Sequence, residues 1–115
     1  MITGQGGSLF LSVTPSSANG STTGGGTCVS NPVTVSVSGG IGPYTYAWTK
    51  VSGDTMTLSD DDGATTTFSA TVGINSSKSA VYRCTVTDNV SVSKTIDVSV
   101  SLFDITFEGG GGIMF

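Results

Sequence analysis

Histidine is absent from this 115-residue sequence, and charge of either sign is scarce. Lysine and arginine total 4, aspartate and glutamate 8, and charged residues make up 10% of the chain, against about a quarter in a typical soluble domain. Without histidine there is no imidazole base and no His-ligated metal site. Four dispersed cations, Lys50, Lys78, Arg83 and Lys94, cannot neutralise a nucleic-acid backbone, which argues against binding through phosphates. No apolar run approaches the ~20 residues of a membrane-spanning helix. Residues Met1 to Gly7 lack the basic region and apolar stretch of a secretion signal. No nucleophile has a base beside it, so no enzymatic activity and no cofactor are expected.

Strong helix formers are also few. Serine and threonine supply 18 residues each, glycine 17 and valine 13. This length suits one small domain and is too short for two. β-Branched residues alternate with Ser and Thr almost throughout, the period of a half-buried strand. Leu9, Leu11 and Val13 alternate up to Pro15, and Ser16 to Thr27 reads as a flexible loop or wide hairpin. Val33, Val35 and Val37 mark the next strand, and Tyr44, Tyr46 and Trp48 share one face of a third. Met56 and Leu58 mark a short strand, and Phe68, Ala70 and Val72 another. Ala80, Tyr82, Cys84 and Val86 form the inward face of a long strand, and Val92, Ile96, Val98, Val100 and Leu102 that of the last. About seven antiparallel strands with turns every 8–12 residues predict an all-β sandwich over residues 8–102, with arms at 1–7 and 103–115.

Three further features each have two readings. The run Asp60-Asp61-Asp62-Gly63 offers carboxylates to a hard cation, but it lacks the remaining ligands of a calcium loop, and an acidic turn accounts for it. Tyr44, Tyr46 and Trp48 suit a sugar-stacking platform, yet the sandwich core needs a large face there, and core packing is preferred. The triplets Asn75-Ser76-Ser77 and Asn89-Val90-Ser91 match glycosylation acceptors but have no secretion signal to give them meaning.

Cys28, Trp48 and Tyr82-Arg83-Cys84 carry a more specific pattern. A tryptophan on the third strand, with a tyrosine two residues before a cysteine on the sixth, resembles the immunoglobulin fold. The segment Gly39-Gly40-Ile41-Gly42-Pro43-Tyr44-Thr45-Tyr46-Ala47-Trp48 is similar to PKD-type Ig-like modules of bacterial and phage surface proteins. With Val81 to Asp88 it resembles the small Ig-like domains of tailed-phage virion proteins. The resemblance implies a structural core of Cys28, Trp48, Tyr82 and Cys84, with the Tyr82 hydroxyl bonded to nearby backbone at a strand corner. Cys28 precedes the Val33-Val35-Val37 run, with Asn31-Pro32 between, so a Cys28–Cys84 bridge and two separate buried thiols both stay open.

The C-terminal segment adds a docking element. Phe103, Ile105 and Phe107 alternate, four glycines follow, and Ile113-Met114-Phe115 come after them. Such an apolar end is a liability in water. It reads as an arm that adds a strand to a neighbour and fills a partner's pocket, in preference to an extension folded back on its own domain. The resemblance then implies a structural virion protein of a tailed phage, a surface decoration subunit bound to the capsid lattice through its arms. Other virion proteins, a second copy of itself and host cell-surface glycans are the implied partners, and assembly in the host cytoplasm is the implied setting. A tail component (tube surface, tip or fibre attachment) and a carbohydrate-binding adhesion module are the alternatives. A chain opening on Met1 and closing on Phe115 is read as a small protein rather than a piece of a giant adhesin.

Overall fold

A computed structural model describes residues 9–106. Ten strands follow in order: β1 (Phe10–Thr14), β2 (Ser17–Thr22), β3 (Gly26–Val29), β4 (Val33–Ser38), β5 (Thr45–Gly53), β6 (Thr57–Leu58), β7 (Thr65–Thr66), β8 (Phe68–Val72), β9 (Ser77–Thr87) and β10 (Ser93–Asp104). Among the described residues there is no helix.

The strands form two layers. One is the four-stranded sheet β2-β10-β9-β5. The other combines β1-β4-β7 with β3-β8-β6. Only Ser30 to Pro32 separate β3 from β4, and only Thr67 separates β7 from β8. A Ser30 N–H to Phe68 carbonyl bond of 2.8 Å carries the β3–β8 pairing one residue into the connection that leads to β4. Along β9, Ala80, Tyr82, Cys84 and Val86 are buried at every second position. Along β10, Val98, Val100 and Leu102 are buried in the same way. Val33, Val35, Phe68 and Val72 face them from the other layer, and the core closes between.

The sandwich expectation holds, with ten strands in place of about seven and one pairing that is parallel. β2 runs parallel to β10, with Ser17 beside Ser99 and Thr22 beside Asp104. Its sequence, Ser-Ala-Asn-Gly-Ser-Thr, lacks apolar alternation, so periodicity reads it as a loop. Backbone demand makes it a strand, because the free edge of a central strand needs partners for its amide groups. The residues also permit close approach. Ala18 is fully buried, and a methyl group at Gly20 would overlap the Val29 carbonyl. The outer edge of β2 is capped at one position in turn: the Asn19 N–H donates to the Asn31 side-chain oxygen at 2.9 Å, and the Asn31 N–H to the Asn19 carbonyl at 3.0 Å. Sealing an edge in this way blocks unwanted pairing.

Three boundaries also move. Cys28 lies within a strand of its own, paired with Ala70. β9 starts at Ser77, ahead of the Ala80 at which the inward-facing series begins. Val92 lies before β10 and is 41% exposed, so it does not share that strand's inward face.

Candidate interaction surfaces

The four predicted core residues sit inside the sandwich. Trp48 is directly across from Cys84 on the neighbouring strand. Its indole meets Phe68 edge to face at 5.8 Å, and Phe68 meets Tyr82 at 5.1 Å. Burial of Trp48 beneath these neighbours leaves no aromatic platform at that position, while Tyr44 and Tyr46 are half-buried against the same core. Cys28 and Cys84 are both buried and unbridged. Burial pushes the Cys84 thiol up to about 11, against a smaller lowering by its contact with the Ala47 backbone. A thiol held protonated in this way is a poor nucleophile.

Tyr82 differs from the expected corner arrangement. Its hydroxyl accepts the Met56 N–H at 2.8 Å and donates to the Met56 carbonyl at 3.3 Å. The partner is 26 residues away in sequence, in the β5–β6 connection, so the bond ties a crossing segment to the core. An inward-facing tyrosine needs a partner for its hydroxyl, and the nearest free backbone groups belong to that segment.

The acidic run also has a structural task. The Asp61 carbonyl accepts the Trp48 N–H at 3.0 Å, and the Gly63 carbonyl accepts the indole N–H at 2.9 Å. The turn therefore covers the outer edge of β5. Its three exposed carboxylates lie within 4.8 Å of one another. A hydrogen bond to Asp60, followed by the like charges of Asp60 and Asp61, raises the Asp62 carboxyl above its ordinary value. Crowded exposed carboxylates are common without a cation, so their proximity does not by itself assign a metal site.

Two buried aspartates organise the two ends of the sandwich. Each continues the inward series of a long strand: Asp88 follows Val86, and Asp104 follows Leu102. Asp88 accepts the N–H groups of Ile41 at 3.2 Å, Val90 at 3.0 Å and Val92 at 2.9 Å. Burial by itself would raise its carboxyl, but these backbone donors outweigh that and lower it. Asp104 accepts from Gly25 N–H at 2.6 Å, Asn75 N–H at 3.1 Å and Thr106 N–H at 2.9 Å, and from the Thr106 hydroxyl. The Thr106 bond, set against burial and joined by the backbone donors, lowers Asp104 to about 2. Sequence reading took Asp104 for part of an arm and placed Asp88 at the close of the segment Val81 to Asp88. The available signal was an acidic residue on the inward parity just past a run of valines.

The predicted docking residues fall in three places. Phe103 belongs to β10, flanked by Ser77 of β9 and Ser21 of β2, so its backbone serves the domain's own sheet. The Ile105 N–H continues this by donating to the Thr22 carbonyl at 2.9 Å. These two positions therefore cannot add a strand to a neighbour's edge. Their side chains still reach solvent, 37% exposed at Phe103 and 47% at Ile105. Phe107, Ile113, Met114 and Phe115 lie outside the described residues. Other exposed aliphatics gather at the opposite end: Ile41 at 40%, Val90 at 54% and Val92 at 41%.

No protein-family profile matches the chain. It is similar to a curated protein described as a decoration protein of Escherichia phage T5, with 40% identity over 78 residues. The match takes in 68% of this chain and 44% of that relative, so the chain spans under half the length of the protein it resembles.

Proposed function

We propose that the chain is an Ig-like decoration module on the surface of a tailed-phage capsid, acting through protein contacts and without catalysis. The observation that carries this reading is the 40% identity to the T5 decoration protein across two-thirds of the chain. Several physical features support it. Trp48 lies directly across from Cys84 on adjacent strands of one layer, which supports the Ig-like reading, while the Tyr82 hydroxyl departs from it by bonding Met56. Two unbridged thiols suit assembly in a reducing host cytoplasm. Loop contacts that cap the outer edges of β2 at Asn19 and of β5 at Trp48 suit a subunit displayed at high local density. Attachment then falls to side chains at the ends of the sandwich and to residues 107–115. A carbohydrate-binding role is less well supported, because the indole that would stack on a sugar is inside the core.

Binding to purified capsids that lack decoration is the test. Fluorescent protein should co-sediment with capsids and saturate at a copy number proportional to the capsid lattice, in the hundreds. Saturation at a handful of copies, with antibody label on tails, would transfer the module to the tail. Binding to a glycan array without capsid binding would replace the reading with adhesion.

A further inference from the structure

We infer that Ile41, Val90 and Val92 form a receptor for the segment Ile113-Met114-Phe115 of a second copy, making a head-to-tail contact. The inference rests on the docking role of the C-terminal segment and not on capsid attachment.

The receptor is preorganised. All three residues expose aliphatic side chains, and the backbone N–H of each is held by the one buried carboxylate of Asp88. The Asn89 N–H donates to the Ile41 carbonyl at 2.7 Å, which locks the β4–β5 and β9–β10 connections to each other. Gly40, at φ +68°, lets the first connection close down over buried Leu9, where a side chain would collide with the leucine. Held side by side by one carboxylate, the three exposed side chains offer a fixed apolar contact to a partner.

Chemistry selects an uncharged partner. Residues 39–44 and 88–92 contain one ionisable carboxylate, Asp88, and it is turned inward. The segment after Glu108 is equally uncharged in its side chains: four glycines, then isoleucine, methionine and phenylalanine.

Reach excludes a contact within one copy. β10 starts beside the receptor and ends at Asp104, at the far end of the sandwich, and the described chain ends at Thr106. At roughly 3.3 Å per step, the 12 residues of β10 span about 36 Å from first Cα to last. The nine residues from Phe107 to Phe115 extend at most about 30 Å. They cannot return to their own receptor, but they can enter that of a copy placed end to end. The contact is therefore heterologous and repeats from copy to copy.

Complementation tests this directly. Sedimentation velocity of the full chain, from low micromolar to several hundred micromolar, should show mass growing with concentration. A Val90→Ser/Val92→Ser variant and a variant lacking residues 109–115 should each stay monomeric with an unchanged melting temperature, since the Asp88 bonds use backbone donors. Mixed together, they should form dimers and nothing larger, because one supplies the tail and the other the receptor. A wild-type chain monomeric throughout, either variant self-associating like wild type, or a mixture that stays monomeric would overturn the inference. Capsid binding is scored separately: a monomeric chain that binds capsids removes this contact and leaves the decoration role intact, and the reverse result removes the decoration role alone.

Discussion

Replacing Tyr82 with phenylalanine isolates a single oxygen in the middle of the fold. The ring stays, so its contact with Phe68 at 5.1 Å is kept and the cavity left behind is small. What is lost is a pair of buried hydrogen bonds to one residue, from the Met56 N–H at 2.8 Å and to the Met56 carbonyl at 3.3 Å. Leaving a buried backbone group unsatisfied costs about 1–3 kcal/mol. The carbonyl bond is long at 3.3 Å and lies at the low end of that range, so the two groups, less the small gain from burying a less polar ring, give about 2–3 kcal/mol for Tyr82→Phe. At 4–8 °C per kcal/mol for a domain of this size, the melting temperature should fall by roughly 10–20 °C. Urea denaturation should give the same free-energy loss with an unchanged slope, because the surface exposed on unfolding is the same. Hydrogen exchange at the Met56 amide should accelerate beyond the global loss. Tyr44→Phe is the control: that hydroxyl donates to the Gly39 carbonyl at 2.6 Å where water can replace it, and the change should cost under about 0.5 kcal/mol. If Tyr82→Phe cost less than about 0.5 kcal/mol, or no more than the control, the tie between the β5–β6 connection and the core would be energetically empty.

Three other outcomes follow from the same geometry. Asp104 has a folded-state value of about 2, below the ~3.9 of an unfolded chain. Its contribution is thus present above pH ~4 and lost as pH falls toward 2, with the lowered Asp88 adding in the same direction. Thermal melts across that window should show the loss, and Asp104→Asn should be less stable at neutral pH and show a shallower acid decline; an unchanged acid decline would contradict the assignment. The Cys84 thiol, buried and raised to about 11, should react with an aromatic disulfide reagent at pH 8 only at the rate of global unfolding, and prompt labelling of Cys84 in the native protein would refute its burial. Gly20→Ala should destabilise by about 1–3 kcal/mol in chemical denaturation, because the new methyl meets the Val29 carbonyl rather than a flexible side chain, and a neutral result would mean that β2 does not sit that close to β3.

Strand positions and the inward faces of β4, β8, β9 and β10 were legible in the sequence, because valine, tyrosine and cysteine at every second residue leave one face that must avoid water. The buried indole of Trp48 was legible for the same reason. Other features depended on contacts between residues far apart in the chain. β2 has no apolar alternation, and it is a strand because the β10 edge requires a partner and Ala18 and Gly20 are small enough to supply one. Tyr82 finds Met56 across 26 residues, a distance that no local spacing rule covers. Asp88 and Asp104 are two acidic residues at strand ends until folding buries them and aims loop amides at their carboxylates. Periodicity reports which side of a strand is dry; only the folded chain decides which distant backbone groups come to share one buried oxygen.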